Sequence, residues 1–258
     1  MSSFNLFNYQ ICNNGLKENV EYAWSLIMKD QFGSYVACAN PHSLVVAKND
    51  SHFRSALKNA DILLPDGTGI VLAARILNEP LSERVAGTEF FLKLSEKANE
   101  SGTIRYFFLG SSDMVLSKLV ERFTKEYPNI EVCGTYSPPF KDEFSEDDNK
   151  KMISAINKAQ PDVLWVGMTA PKQEKWIYNH RNKLNVRLCG AIGAVFDFYA
   201  GTRKRAPQWI CNLGLEWLPR LLRDPKRLWR RNFISTPLFL VMLAKEKLNS
   251  RPSIESSD

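Results

Sequence analysis

Residues 61–77 have the sequence DILLPDGTGIVLAARIL, in which an apolar run, a turn and a helical pattern follow one another. We predict a strand over Asp61–Pro65, because a short apolar run bounded by turn residues is typical of a buried strand. We predict a helix over Gly69–Leu77, where the pattern becomes helical. The stretch is therefore half of a βαβ unit, with the turn Asp66–Thr68 between its strand and its helix.

The same alternation continues through most of the chain. Further strands are predicted at Tyr35–Ala39, Arg105–Leu109, Ile130–Gly134, Asp162–Gly167 and Val186–Gly190. Further helices are predicted at Lys17–Asp30, Thr88–Glu100, Asp113–Tyr127, Glu146–Gln160 and Lys172–Arg181. Strands separated by helices of this length indicate parallel pairing. We therefore predict an α/β fold with a mostly parallel sheet covered by helices.

The pattern changes beyond the alternating part. Residues 201–247 have helical patterns only, punctuated by prolines, and the charge changes at the same place. Residues 1–200 carry a net charge of −1, whereas residues 201–251 carry +9. We therefore predict a core over 1–200, a basic, all-helical appendage over 201–250 and a tail over 251–258. A segment this basic is expected to bind phosphate, nucleic acid or an anionic membrane.

Composition excludes several classes of protein. Hydrophobic residues make up 44% and charged residues 24% of the 258, so global disorder is excluded. Five cysteines without a C-x-x-C pair and three scattered histidines predict neither a disulfide framework nor a metal site. Phe233–Ala244, the longest apolar stretch, falls short of the roughly 20 residues that a spanning helix needs. Because Met1–Asn14 also lacks the features of a signal peptide, we expect a soluble or peripheral protein.

Ligands of parallel α/β sheets bind at the loops beyond the carboxyl ends of the strands. Asp66 is the most informative residue of these loops, because its carboxylate should project from the end of a strand, where it could face a ligand or cap the helix that follows. Gly67 and Gly69 would let a ligand approach the backbone. Neither this loop nor Gly110–Ser112 has the spacing of a dinucleotide fingerprint or a Walker loop. A dinucleotide enzyme and an NTPase are therefore not supported.

Three further positions leave a functional and a structural interpretation open. Gly110 could bind phosphate or relieve crowding between strand and helix. Arg84 could neutralise a phosphate, although an isolated arginine is usually a surface residue. Pro171–Glu174 begins a helix at the carboxyl end of a strand, where Gln173 could face a cleft. Since the chain has no D-x-D motif, any bound phosphate must be neutralised by basic side chains.

The chain also contains a series of short motifs in a fixed order: Asn40-Pro41, Pro65-Asp66-Gly67, Glu83-Arg84-Val85-Ala86-Gly87, Pro161-Asp162, Pro171-Lys172-Gln173-Glu174, Phe196-Asp197, Ala200-Gly201, Arg205-Ala206-Pro207 and Glu216-Trp217. In these motifs it resembles the WecG/TagA/CpsF glycosyltransferases, also called glycosyltransferase family 26. The resemblance runs from about residue 35 to about residue 232. The chain departs from the family's T-x-N motif at Cys38, and Thr169 stands where glycine is common.

The resemblance implies a Rossmann-like core and an inverting, metal-independent transfer without a cofactor. The sugar, N-acetylmannosamine or another hexose, would pass from a UDP donor to an undecaprenyl-diphosphate-linked sugar. The reaction would serve surface polysaccharide or teichoic acid synthesis at the cytoplasmic face of the membrane. By motif position, Asp66 corresponds to the catalytic base, and Arg84 and Gln173 to residues around the diphosphate and the acceptor. We assign substrate binding to Asn40, Gly67, Thr68, Gly110, Ser112, Lys172 and Asp197.

The basic segment has arginines interleaved with Trp and Leu, which suits a helix at an anionic membrane surface. We assign acceptor and membrane binding to Arg205, Arg220, Arg223, Arg227, Arg230 and Arg231. A solvated basic face and a nucleic-acid interface use the same charges, but nucleic acid needs no Trp/Leu face. We therefore expect a membrane and no nucleic-acid partner, and a homo-oligomer is compatible with the sequence. The rival hypotheses are another Rossmann-like nucleotide-sugar enzyme and a basic nucleic-acid-binding module.

Overall fold

The computed structural model describes residues 2–29, 31–203, 221 and 225–249. The strands in these ranges are β1 Ser3–Leu6, β2 Tyr9–Cys12, β3 Ser34–Ala39, β4 Ile62–Pro65, β5 Ile104–Gly110, β6 Ile130–Tyr136, β7 Val163–Gly167 and β8 Leu188–Ala191. The helices are α1 Leu16–Met28, α2 Pro41–Asn49, α3 Ser51–Lys58, α4 Thr68–Leu77, α5 Gly87–Ser101, α6 Asp113–Glu126, α7 Glu146–Ala159, α8 Lys172–His180, α9 Val195–Tyr199, α10 Pro225–Arg230 and α11 Thr236–Asn249. A 3₁₀ turn covers Arg181–Lys183, and a π-helical turn covers Arg231–Ser235.

Strands β3 to β8 form one parallel sheet in the order β4-β3-β8-β7-β5-β6. The predicted α/β fold with a mostly parallel, helix-covered sheet is therefore confirmed. β1 and β2 pair separately as an antiparallel hairpin. Because the six strands run in one direction, the loops that follow them all lie at one edge of the sheet.

The predicted strands and helices of the alternating part agree with the structure to within two residues at each end. The sequence analysis missed the β1–β2 hairpin and the helices α2, α3 and α9. The hairpin strands have only four residues each, and they turn through Phe7 and Asn8 at φ of 54° and 64°. A turn without glycine gives a weak sequence signal. α9 is only five residues long, too short for a helical period to show.

Apolar side chains pack against both faces of the sheet. Tyr106 and Phe108 of β5 point to one face and Phe107 to the other, as the two-residue period of a strand requires. Helices α1, α5, α6 and α9 cover the first face, and α2, α3, α4, α7, α8 and α11 cover the second. Close packing extends into the sheet, since a Cβ atom on Gly190 would lie 2.2 Å from the ring of Trp165.

Helix α11 contributes to the core of the second face. Phe239 and Leu243 are 1% and 2% exposed and belong to the same apolar cluster as α2, α4 and the hairpin. The ring of Phe239 stands edge-on to that of Phe7, with the ring centres 5.7 Å apart. Just before α11, Ser235 Oγ lies 2.8 Å from Nδ1 of His42 in α2. The start of α11 is therefore tied to α2, the helix that follows β3.

Part of the basic segment lies outside the described residues. The ranges 204–220 and 222–224 contain Arg205, Arg220 and Arg223. The division of the chain near residue 200 therefore stays a prediction. Within the part of the chain that the structure describes, no helix is both long and apolar enough to cross a membrane.

Candidate active site

Two neighbouring strand ends bring Asn40 and Asp66 together. Asn40 follows β3 and caps α2, because its Oδ1 accepts a hydrogen bond from Ser43 N at 3.0 Å. Asp66 follows β4, and its backbone N donates to Ala39 O at 2.8 Å. This bond holds the two loops side by side at the carboxyl edge of the sheet.

Two glycines shape the turn after Asp66. Gly67 has a φ of 97°, in the region that favours glycine, and occupies the N-cap position of α4. A Cβ atom on Gly69 would lie 2.3 Å from Cγ of Pro41, so only glycine lets α4 start against α2. Thr68, the first residue of α4, is exposed. Asp66 therefore lies one residue before the N-cap position of α4. The glycine at position 69 is explained by its close packing against Pro41.

Arg84 is held at the same strand end. Val85 N donates to Pro65 O at 3.1 Å, which places the segment before α5 beside the end of β4. Arg84 Nη2 lies 3.2 Å from Glu89 Oε1, in an ion pair whose side chains are 21% and 27% exposed. Glu89 Oε2 in turn accepts from Ala86 N at 3.1 Å. A guanidinium is thus fixed in place by a partly buried carboxylate, close to the loop of the proposed base.

Gln173 and Glu174 lie under the loop that follows β7. Their side chains are only 4% and 3% exposed. Gln173 Oε1 accepts from Met168 N at 3.2 Å, and Gln173 Nε2 donates to Glu174 Oε1 at 2.9 Å. Burial raises the pKa of Glu174 to about 7. The Oε2 atom of Glu174 is buried and has no hydrogen-bond partner among the described residues.

Cys38 lies in β3, one residue before the strand ends, and its side chain packs against Gly87. A Cβ atom on Gly87 would lie 3.3 Å from Cys38 Sγ and 4.0 Å from the Cα atom of Ile192. Burial, and then the charges of Asp66 and Glu174, hold the pKa of the Cys38 thiol well above its usual value. The raised pKa favours the protonated thiol.

Gly110 and Ser112 lie apart from the Asp66 loop. The strand β5 is four places from β4 in the sheet, or about 19 Å at the usual strand spacing. A Cβ atom on Gly110 would lie 2.5 Å from Gly167 O, so glycine lets β5 and β7 meet. Ser112 caps α6 by accepting from Val115 N at 3.4 Å. Both residues have a structural reason at their positions, and their part in substrate binding stays a prediction.

Lys172 and Asp197 make contacts within the protein. Lys172 Nζ donates to Lys141 O and lies 3.6 Å from the centre of the Phe144 ring. Asp197 Oδ1 accepts from Thr202 Oγ1 at 3.3 Å. These contacts fix the loops at the carboxyl edge, and substrate contacts of the two residues stay predictions.

Three of the assigned arginines lie in the described part of the C-terminal segment. Arg227 belongs to α10, and Arg231 begins the π-helical turn. Arg230 is exposed, and its guanidinium lies 5.9 Å from the centre of the Trp229 ring. Trp229 and Phe233 are exposed as well. Basic and apolar side chains are therefore presented together on this segment.

Glu174 is the residue that the sequence analysis did not single out. Gln173, Glu174 and Ile177 are all buried, so the carboxyl group lies on the inward face of α8. A signal was available, because an acidic residue on the apolar face of a helix is rarely buried without a function or a partner.

The comparison with known proteins decides the family. The model of the glycosyl transferase WecG/TagA/CpsF family matches residues 4–253. The chain belongs to this family. The resemblance inferred from the motifs is confirmed, and the match extends beyond both ends of the predicted range, into the hairpin and α11.

Three curated relatives of this glycosyltransferase share one name, N-acetylglucosaminyldiphosphoundecaprenol N-acetyl-beta-D-mannosaminyltransferase. The protein of Bacillus subtilis (strain 168) is 30% identical over 251 residues, which cover 97% of this chain and 94% of the relative. That of Bacillus spizizenii is 31% identical, covering 85% and 82%. That of Staphylococcus aureus (strain MW2) is 29% identical, covering 83% and 80%. The predicted activity class, a glycosyltransferase, is confirmed.

Proposed function

We propose that the protein transfers N-acetylmannosamine, or another hexose, from UDP to an undecaprenyl-diphosphate-linked N-acetylglucosamine. The names of the relatives support this acceptor and this sugar. The observation that carries the proposal is the convergence of Asn40, Asp66 and Arg84 at adjoining strand ends. Such a transfer needs a carboxylate and a guanidinium near each other, and Asp66 and Arg84 belong to two segments that meet at the end of β4.

Asp66 is the proposed catalytic base. Its carboxylate takes the proton from the acceptor hydroxyl as that oxygen bonds to the anomeric carbon of the donor sugar. The bond between that carbon and the diphosphate oxygen breaks on the opposite face, and UDP leaves with the electron pair. Because the acceptor oxygen bonds to the face opposite the leaving diphosphate in a single displacement, the anomeric configuration is inverted.

The departing diphosphate needs positive charge, which Arg84 is proposed to supply. Asn40 and Gly67 place the starts of α2 and α4 beside it, and backbone N–H groups there favour an anion. Within the described ranges, no three His, Cys, Asp or Glu side chains are grouped to hold a metal ion. We propose a metal-independent reaction, in which Arg84 and backbone N–H groups meet the charge of the leaving diphosphate.

The C-terminal segment is proposed to meet the membrane and the acceptor. Exposed Trp229, Phe233 and Arg230 suit the interface of an anionic bilayer, where rings and basic groups both bind. The contact between Ser235 and His42 ties this segment to α2, whose N-cap residue is Asn40. The lipid-linked acceptor would thus approach from the inner membrane face toward the Asp66 loop.

The test is an assay of the purified full chain with a panel of UDP-sugars and a lipid-diphosphate-linked N-acetylglucosamine. We expect transfer from UDP-N-acetylmannosamine or a related UDP-hexose, and the same rate in EDTA. Loss of activity in EDTA that Mg²⁺ or Mn²⁺ restores would contradict metal independence. A protein that shifts DNA in a gel and ignores every UDP-sugar would instead be a nucleic-acid-binding module.

A further inference from the structure

Glu174 carries a buried carboxyl group that the proposed mechanism does not use. The side chain is 3% exposed, and only its Oε1 atom has a hydrogen-bond partner among the described residues, the Nε2 atom of Gln173. A buried polar atom without a partner costs stability, so an apolar residue would be favoured here if folding alone mattered. The contact of Glu174 with the Gln173 side chain points to a role in holding that side chain.

The amide of Gln173 has two ends with different partners. Its Oε1 accepts from Met168 N at 3.2 Å, and its Nε2 donates to Glu174 Oε1 at 2.9 Å. If the amide turned over, its NH₂ group would face the N–H of Met168, and two donors would oppose each other. The N–H of Met168 and the acceptor oxygen of Glu174 therefore select the same orientation of the amide, and Glu174 holds its NH₂ end in place.

This amide lies where the loops after β7 and β8 meet. A Cβ atom on Gly193 would lie 3.5 Å from Nε2 and 3.6 Å from Oε1 of Gln173. The preceding residue, Ile192, lies beside Gly87, which in turn lies against Cys38 at the end of β3. An unbroken series of contacts thus runs from Gln173 to the strand next to β4.

We propose that Glu174 is a positioning residue of the transferase site, whose carboxyl group orients the Gln173 amide and so sets the loops after β7 and β8 beside Asp66. The inference rests on the proposed function. Because its side chain is 3% exposed, Glu174 acts through Gln173 and does not touch the substrate.

Two variants separate positioning from a structural role. Glu174→Leu removes the acceptor oxygen and should lower kcat on the order of 10²-fold, the effect of misplacing a reacting group, with little change in the donor KM. Its Tm should change little, because the loss of a half-satisfied buried carboxyl group offsets the cost of leaving the Gln173 Nε2 donor unpaired. Glu174→Gln keeps an acceptor oxygen and should restore most of kcat. Glu100→Leu, at an exposed position of α5, is the control and should behave as the unchanged protein.

A double-mutant cycle tests the route through Gln173. If Glu174 acts only on that amide, Glu174→Leu should add no further loss of kcat to Gln173→Leu. Additive losses would overturn the proposal. An unchanged kcat in Glu174→Leu would also overturn the proposal. The same holds if Glu174→Leu lowers both Tm and kcat and Glu174→Gln restores neither.

A second measurement does not need catalysis. Hydrogen exchange of the Met168 amide, followed by NMR in the full chain, should be on the order of tenfold faster in Glu174→Leu and unchanged in Glu174→Gln. Equal exchange in all three proteins would overturn the proposal. If the unaltered chain transfers no sugar, the proposed function fails, and this exchange measurement still decides the role of Glu174.

Discussion

Phe239 offers a quantitative test of whether α11 belongs to the folded core. Its side chain is 1% exposed and packs edge-on against Phe7 at 5.7 Å. Phe239→Ala would leave a cavity beneath α11, and truncations of buried phenylalanine cost about 3–5 kcal/mol. In a chain of 258 residues, each kcal/mol lowers Tm by about 2 °C, so we expect a fall of about 6–10 °C. Circular dichroism during heating measures it.

Phe233→Ala is the matched control, since the same residue type lies 64% exposed in the adjoining π-helical turn. Its Tm should change by about 1 °C or less, because an exposed substitution is usually worth under about 0.5 kcal/mol. Equally small changes in both variants would refute the packing of α11 on the core. The segment would then be a separate appendage from residue 201 onward, as its charge pattern suggests.

Two further predictions concern buried polar groups. Burial raises the pKa of Glu174 from 4.5 to about 7 in the folded chain. The free energy of unfolding should therefore be highest below pH 4.5 and should fall by about 3 kcal/mol as the pH rises to about 7. Glu174→Gln should lack this decline in urea unfolding across that pH range, and parallel curves for the two proteins would contradict the pKa shift. Ser235→Ala removes the hydrogen bond to His42 and should cost about 1 kcal/mol. Ser154→Ala, at an exposed position of α7, should cost nothing measurable, and equal losses would contradict the tie between α2 and the C-terminal segment.

The sheet was predictable because its strands are short, apolar and separated by helical patterns. The short apolar runs at β5 and β7 are typical of buried strands, and the structure buries every residue of β7. The hairpin was not predictable, because its four-residue strands turn through Phe7 and Asn8 without a glycine. The packing of α11 was missed for another reason: basic composition marks the segment before it, and composition does not show that Phe239 fits beside Phe7.

The candidate site was predictable where its residues follow strands. Asp66 and Asn40 follow β4 and β3 directly, so their nearness depends only on strand order. The contacts of Arg84 with Glu89, and of Lys172 with Lys141 and Phe144, depend on side-chain packing that no motif encodes. The buried position of Glu174 follows from the face of α8 that meets the sheet.

Substitution of the proposed base tests the account most directly. Asp66→Asn keeps the shape of the side chain and removes its ability to take a proton. In the transfer assay its kcat should fall by roughly 10²–10⁴-fold, the usual contribution of a general base, while calorimetry should show UDP bound as in the unaltered chain. Asp147→Asn, whose side chain is 82% exposed on α7, should leave both quantities unchanged. An Asp66→Asn protein that turns over at nearly the unaltered rate would contradict the assignment of Asp66 as the base.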